Sequence, residues 1–543
     1  MNRNAKVWLA KNIKMDKDYR NVLKISESDM ITLMTNNSNL VYYDNHYSFL
    51  RENENEIYVQ ESYGTCIQAN YIAFQNPDYS NKVFFGFIDE VIYENEHTTR
   101  IRFTIDVWTT WYEYWSSKAC FVIREHVVDD TIGANTVPEG LETGDYIIND
   151  WDDLYYNLSL SYFICIGVSE ALNLPNLDLL NRQYGGIYSG LTYYLFDSPE
   201  NASKFLKAYD NLGKGEAVYA VFMIPTGLSF GNTWYTVSFG DVDDIKLSVV
   251  KTGSDAVRLL TNSPITMNST LNGYTPKNKK LLCFPYNYLY MTNNSGSNIE
   301  YHYEDFIDNT PRFNIDGVVC VGCSIKAYPV NYKKYSAYVS GSDFYSPKEI
   351  SYGLTCGKYP TCSWKSDVYT NWLTQNAVNL EVQNIQNGLS AMSSGMKGDI
   401  MGTISGVVNM ASPLLQIYQH SFVPNTAKGD TNAGDITFST NELGFKYFKM
   451  SIKEEYARII DGYFYRQGYQ INKIKVPNMA HRQNFNYVRI ANEDNVAYPN
   501  NHNNICPSPK DLDEINKLFR RGITMWNNHT NLGDYSVTND ITS

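Results

Sequence analysis

The feature that most restricts this chain is a side-chain alternation with a period of two. In the first 127 residues, "LVYYDNHYSFL", "EIYVQESY", "KVFFGFIDEVIYEN" and "TTRIRFTIDVWTTWYEYW" alternate apolar and polar residues, or nearly so. Asn, Asp, Gly and Pro punctuate them, the pattern of short half-buried strands. Composition points the same way. Tyr alone numbers 45, aromatic residues make up 14% and charged residues only 19%. Tyr, Phe, Trp, Val, Ile and Thr suit pleated surfaces. The sequence predicts a mainly β protein with a few helices.

At 543 residues the chain has room for roughly three or four domains and for ample core without disulfide staples. The nine cysteines follow no regular framework, and the start, "MNRNAKVWLAKNIKM", lacks the apolar run of a signal peptide. Folding in a reducing cytosol is the expectation. The formal charge of −13 argues against a chain built as a whole to grip phosphates. An acidic surface suits a passage through which DNA slides without sticking.

Organisation along the chain is read as five parts. Residues 1–127 form an N-terminal β domain, and 128–320 an inserted, mixed β domain. Residues 321–387 hold strands and a helix, 388–430 a long hydrophobic loop, and 431–543 a C-terminal domain. Within the second part, "SPENASKFLKAYDNL" reads as a helix capped by Ser198, with Pro199 in the first turn and Phe205, Leu206 and Tyr209 on one face. A further helix is expected over 366–386, capped by Ser366. "SIKEEYARIIDGYFYRQG" shows a capping-box pattern, Ser451 with Glu454. Its expected apolar face is Ile452, Tyr456, Ile459, Tyr463 and Phe464, and Gly468 is the stop. "SPKDLDEINKLFRRG" reads as a last helix from Ser508 and Pro509 to Gly522.

Catalytic patterns dissolve on inspection. "GLSFG" around Ser229 matches a nucleophile elbow only if a helix follows, yet "NTWYTVSFG" reads as a strand, so a hairpin turn is expected. "GLTCGK" is one residue short of a phosphate loop. Cys320 and Cys323 have zinc-ligand spacing, but five residues separate Cys356 from Cys362 instead of two to four; buried structural thiols are the expectation, with four zinc thiolates as the alternative. "REHVVDD" reads as a solvated turn after a strand, and "DVDD" lacks the Gly and Glu of a calcium loop. No enzyme, metal or cofactor is expected. From Lys446 to Arg489, nine basic residues face three acids; such a face docks on an acidic neighbour, touches DNA phosphates, or is merely solvated.

One segment departs from all this. Between Asn387 and Gln419 the only charges are Lys397 and Asp399. Gly398, Gly402 and Gly406 recur every four residues, a stripe that lets helices approach closely in lipid. Met392, Met396, Ile400, Met401, Ile404, Val407, Val408 and Met410 flank it, and Leu414 and Leu415 follow Pro413. Each Gly costs a helix about 1 kcal/mol relative to Ala, and Met adapts to irregular apolar contacts. A flexible linker, a buried core helix, and a segment contacting lipid or its own copies all remain open.

Several stretches together resemble a known family. "YIAFQNPDYSNKVFFGFI" (71–88), "FTIDVWTTW" (103–111) and "FVIREHV" (121–127) resemble the N-terminal part of the distal tail-tube, or tail knob, proteins of small short-tailed phages infecting Gram-positive bacteria. "EYARIIDGYFYRQGYQINKIKVPN" (455–478), "FNYVRI" (485–490), "GITMW" (522–526) and "GDYSV" (533–537) resemble the C-terminal part. The resemblance implies tail-tube-like β-barrel or sandwich domains assembled into a hexameric tube at the tail tip of the virion. The tube conducts the viral DNA below an upper tail or collar protein. In the family, a long hydrophobic loop plugs the tube and then enters the host membrane, and residues 388–430 hold that position here. The implied contact residues are Met392, Met396, Ile400, Met401, Ile404, Val407, Val408, Met410, Leu414 and Leu415. The glycines 398, 402 and 406 would serve helix packing. The alternative is a tail module that binds cell-wall carbohydrate on the host surface.

Overall fold

A computed structural model describes residues 5–47, 55–75, 77–154, 162–172, 182–184, 187–225, 233–250, 252–253, 257–293, 296–317, 325–334, 352–356, 361–365, 445–500 and 505–542. The expected helix at 366–386 and the segment 388–430 lie outside them. The architecture is mainly β with a few helices, as the alternation required. It forms two compact units, each assembled from separated stretches of chain. The first comprises 1–144, 274–281 and 454–543; the second comprises 145–273 and 282–453.

In the first unit a six-stranded antiparallel sheet runs in the order β3 (Leu40–Tyr47), β1 (Ala5–Ala10), β5 (Tyr71–Gln75), β6 (Val83–Asn95), β7 (Thr98–Ile105), β4 (Glu56–Val59). Strict alternation along β1 sends Val7 and Leu9 to one face, with Ile72, Ile101 and Phe103. Trp8 and Ala10 go to the other, with Tyr71, Phe85, and Met30 and Met34 of helix α1 (Glu27–Thr35). Two short helices, α2 (Tyr63–Cys66) and α3 (Val107–Trp111), interrupt the strands. The α3 cap is the buried Asp106, which accepts from Tyr71 Oη at 2.6 Å and Thr109 Oγ1 at 2.7 Å. Burial pushes its pKa up.

A five-stranded sheet completes this unit: β2 (Asn21–Leu23), β29 (Ile523–Trp526), β27 (Phe485–Ile490), β9 (Cys120–Glu125) and β26 (Tyr469–Lys475), in that order. Only β2 and β29 are parallel. Strands β8 (Trp115–Ser117) and β28 (Ala497–Pro499) form a ribbon. Two terminal stretches far apart in sequence thus share one sheet.

Among the described residues, the second unit has three larger sheets. One runs β10 (Tyr146–Asp153), β25 (Lys446–Ile452), β19 (Asn287–Thr292), β20 (Asn298–Tyr301). Another runs β16 (Trp234–Phe239), β17 (Val242–Val249), β14 (Thr192–Phe196), β11 (Tyr162–Val168), β15 (Val218–Pro225), β24 (Thr361–Lys365). The last runs β18 (Val257–Pro264), β21 (Arg312–Gly317), β22 (Ile325–Pro329), β23 (Leu354–Cys356), beside a small ribbon of β12 (Gln183–Tyr184) and β13 (Ile187–Tyr188). Helix α4 (Pro199–Asn211) is the one expected: Ser198 Oγ accepts from Asn201 N at 3.3 Å. Phe205, Leu206 and Tyr209 pack on Ile164, Ile166, Tyr194 and Phe196.

Three expectations need correction. Strands β15 and β16, either side of "GLSFG", are not paired but stand at different places in their sheet, so no hairpin joins them. Residues 226–232, with Ser229, lie outside the described residues; β16, not a helix, follows them. Ser451 is no helix cap. It is buried in β25, donates to Ile452 O at 3.0 Å and accepts from Asn149 Nδ2 at 2.7 Å. Helix α5 (Glu454–Gln467) buries Ala457, Ile460, Asp461 and Phe464, while Ile459 is 69% exposed. Of the expected face, Phe464 is buried and Tyr456 and Tyr463 are half-buried, so Ile459 is the miss; the buried stripe takes in Ala457, Ile460 and Asp461, whose partners the apolar pattern does not reveal.

The stop signals are as predicted. Gly468 has φ of 66°, and a Cβ there would lie 2.0 Å from Glu125 O. Helix α6 (Pro509–Arg521) begins with Ser508 Oγ accepting from Asp511 N and ends at Gly522, φ 96°.

Candidate functional site

The described strands on either side of the hydrophobic segment belong to the second unit. The last described strand before it, β24, pairs with β15. The first strand after it, β25, is held on both sides, by β10 and by β19. Phe445, at the return, is buried, and its carbonyl accepts from Leu154 N at 2.7 Å. Lys446 lies over the Trp151 ring, 4.6 Å from its centroid. The side chains named for it, Met392 to Leu415, and the glycines 398, 402 and 406, lie outside the described residues.

"REHVVDD" is not a solvated turn. Arg124, Glu125 and His126 are buried. Arg124 and Lys280 both pair with the Glu139 carboxylate, whose side chain is 1% exposed. Glu125 accepts from Lys475 Nζ at 2.5 Å and Asn478 N at 2.7 Å. His126 Nδ1 accepts from Tyr487 N at 2.8 Å, and its Nε2 faces Tyr465 O at 3.0 Å, so Nε2 carries the proton. Burial, aided by Arg482, pushes the His126 pKa down to about 3. Asp130 accepts from Tyr469 Oη and from Lys279 N. Asp461 accepts from Tyr274, Lys277 and Asn278. Every one of these groups is spent on binding chain to chain. The sequence hid them because their partners lie from 15 to more than 300 positions away.

Among the described residues no cluster of His, Cys, Asp or Glu could hold a metal ion, and no helix is long and apolar enough to cross a membrane. Cys320 and Cys323 lie outside the described residues. The nine basic residues between Lys446 and Arg489 are divided between the two units. Lys446, Lys449 and Lys453 belong to the second unit and the rest to the first. Lys449, Lys453, Arg458 and Lys475 are paired with Asp150, Asp145, Glu454 and Glu125.

Two family profiles match this chain. The one described as the caudoviral major tail protein N-terminus matches residues 3–116. The one described as the C-terminal domain of tail knob protein gp9 of Bacillus phage phi29 matches residues 251–540, more than half of the sequence. The chain belongs to the phi29-type tail knob family. Tail knob protein gp9 of Bacillus phage phi29 is 26% identical over 608 aligned positions, covering 98% of each chain. Its namesake from Bacillus phage B103 is 23% identical, again over 98% of each. In fold, the chain matches the tail knob protein gp12 of bacteriophage C1 with a TM-score of 0.61 at 13% identity, over 99% of this chain and 100% of that one. Membership makes this tail knob protein a structural component of the phage tail.

Proposed function

We propose that six copies of this chain form the distal tube of the tail, which conducts the genome, and that residues 388–430 close the bore before infection. On ejection the same residues leave the bore and contact or penetrate the host membrane. The observation that carries this reading is positional. The knob-family match over 251–540 runs through the charge-poor segment where Gly398, Gly402 and Gly406 make a stripe flanked by Met and Ile. Small residues let apolar helices pack in lipid, and Met lets the same surface pack against protein.

In this reading, 1–127 and 431–543 are tube domains, 128–320 is an inserted domain, and 321–387 leads into the loop. The partners are other copies, an upper tail or collar protein, the DNA in the lumen, and the host membrane. The role is mechanical, and no reaction is assigned to it. Lys397 and Asp399 disfavour a full bilayer span, since each charge is costly in the hydrocarbon centre. The test is dye release from liposomes at mildly acidic and neutral pH, comparing the intact protein with a 390–425 deletion. Release by the intact protein that the deletion abolishes supports the loop's role. Equal release from both, or none from the intact protein, refutes it.

A further inference from the structure

Several strands end their sheets with no outer neighbour among the described residues, β26 and β10 among them. Strand β26 ends the five-stranded sheet of the first unit, and β10 ends the four-stranded sheet of the second; among the described residues neither pairs on its outer side. An open edge with apolar side chains is a template for another strand, and native chains cover or guard it.

The β26 edge is basic and apolar. Ile474 is 78% exposed and stands opposite Phe121, which is also exposed. Lys473 and Lys475 flank Ile474. Lys475 is engaged by Glu125, whereas Lys473 is exposed and has no ion-pair partner among the described residues. Glu139 takes the Gln470 N–H, so the open part of the edge is 472–475. Beside it lies an open cleft of about 620 Å³, lined by Tyr112, Trp115, Val128, Val476, Pro477 and Met479 among others.

The β10 edge is its complement. None of its eight residues is buried. Ile148 is 53% and Trp151 55% exposed. Asp150, Asp152 and Asp153 follow in the same strand, which has no base. Lys449 offsets Asp150, while Asp152 has no ion-pair partner among the described residues. Opposite charge and matching apolar knobs on two open edges meet the two needs of strand addition: backbone pairing for affinity and side chains for register.

We infer that β10 of one copy adds to the open edge of β26 in a second copy. Lys473 then faces the β10 carboxylates, and Ile148 and Trp151 cover Ile474, Phe121 and the mouth of the cleft. The contact joins unlike surfaces, and such head-to-tail contacts generate rings when the rotation closes. The inference rests on the proposal that copies of this chain assemble, and it names the surfaces that do so.

The test uses full-length protein in a Cys506→Ser background, which removes the exposed thiol at 506. Protein with Ile148→Cys and protein with Ile474→Cys are mixed and treated with a short bismaleimide, the unsubstituted background serving as control. A covalent dimer from the mixture, absent from either protein alone and from the control, is the expected result. In parallel, Lys473→Glu and Asp152→Lys should each weaken assembly roughly tenfold, about 1.4 kcal/mol, and the double variant should restore it. Assembly of the mixture without the cross-link, or with both single variants unaffected, overturns the interface while leaving the oligomer in place. Sedimentation showing only monomer for the parent protein refutes the assembly itself.

Discussion

Replacing Asp461 by Ala tests how the first unit is held together. Asp461 is 1% exposed in the middle of α5. Its carboxylate accepts from Tyr274 Oη and Lys277 N at 2.7 Å, from Asn278 N at 3.1 Å and from Asn278 Nδ2 at 2.7 Å. Those donors lie in the 274–281 stretch, which the chain inserts into this unit from far away in sequence. Alanine removes that carboxylate. Tyr274 and Lys277 reach water and Asn278 Nδ2 keeps the Asp461 carbonyl at 3.2 Å, but Asn278 is buried, so its backbone N–H and one amide hydrogen stay unmet. At about 1–3 kcal/mol for each, the loss is about 4 kcal/mol. For a unit of this size that lowers the calorimetric midpoint by roughly 8–16 °C. Amide exchange should rise first at 274–281. A fall under about 2 °C, with unchanged exchange there, refutes the reasoning. A companion pair fixes the helix face: Ile460→Ala should cost about 2–5 kcal/mol, whereas Ile459→Ala should cost under about 0.5.

Other outcomes follow from the same buried network. Glu139→Gln strands Arg124 and Lys280 without their anion; a loss of about 3–5 kcal/mol is expected from urea unfolding at neutral pH. His126 gives a pH dependence of definite sign. Its folded pKa, about 3, lies below the unfolded value of about 6.5. Above that value both states hold neutral imidazole; below it only the unfolded chain takes the proton, so stability falls as the pH drops from about 6.5 toward 3. At pH 5 the loss is about 2 kcal/mol, and His126→Gln should flatten that slope in urea titrations.

What the sequence revealed divides by range. Helix signals that act within four residues were legible: Ser198 and Ser508 as caps, Gly468 and Gly522 as stops. So was the β character of the first 127 residues, since alternation is local. Ser451 and Glu454 fitted a capping box just as well as a strand followed by a helix, and only pairing of β25 with β10 and β19 decides between them. The face of α5 misled because its centre is a carboxylate whose partners sit at 274–278. "REHV" looked solvated for the same reason: Glu139, Lys280, Lys475 and Tyr487 are invisible from its neighbourhood. The segment at 388–430 stands out by composition alone, and its role is a proposal that rests on the family reading. The open edges of β10 and β26 could not be read, because which strand ends a sheet is a property of pairing.

The central claim is that this tail knob protein closes into a six-membered tube. Electron microscopy of the purified full-length protein tests it most directly. End-on views with sixfold symmetry around a channel are predicted; a population of monomers, or of closed twofold dimers with no channel, would contradict it.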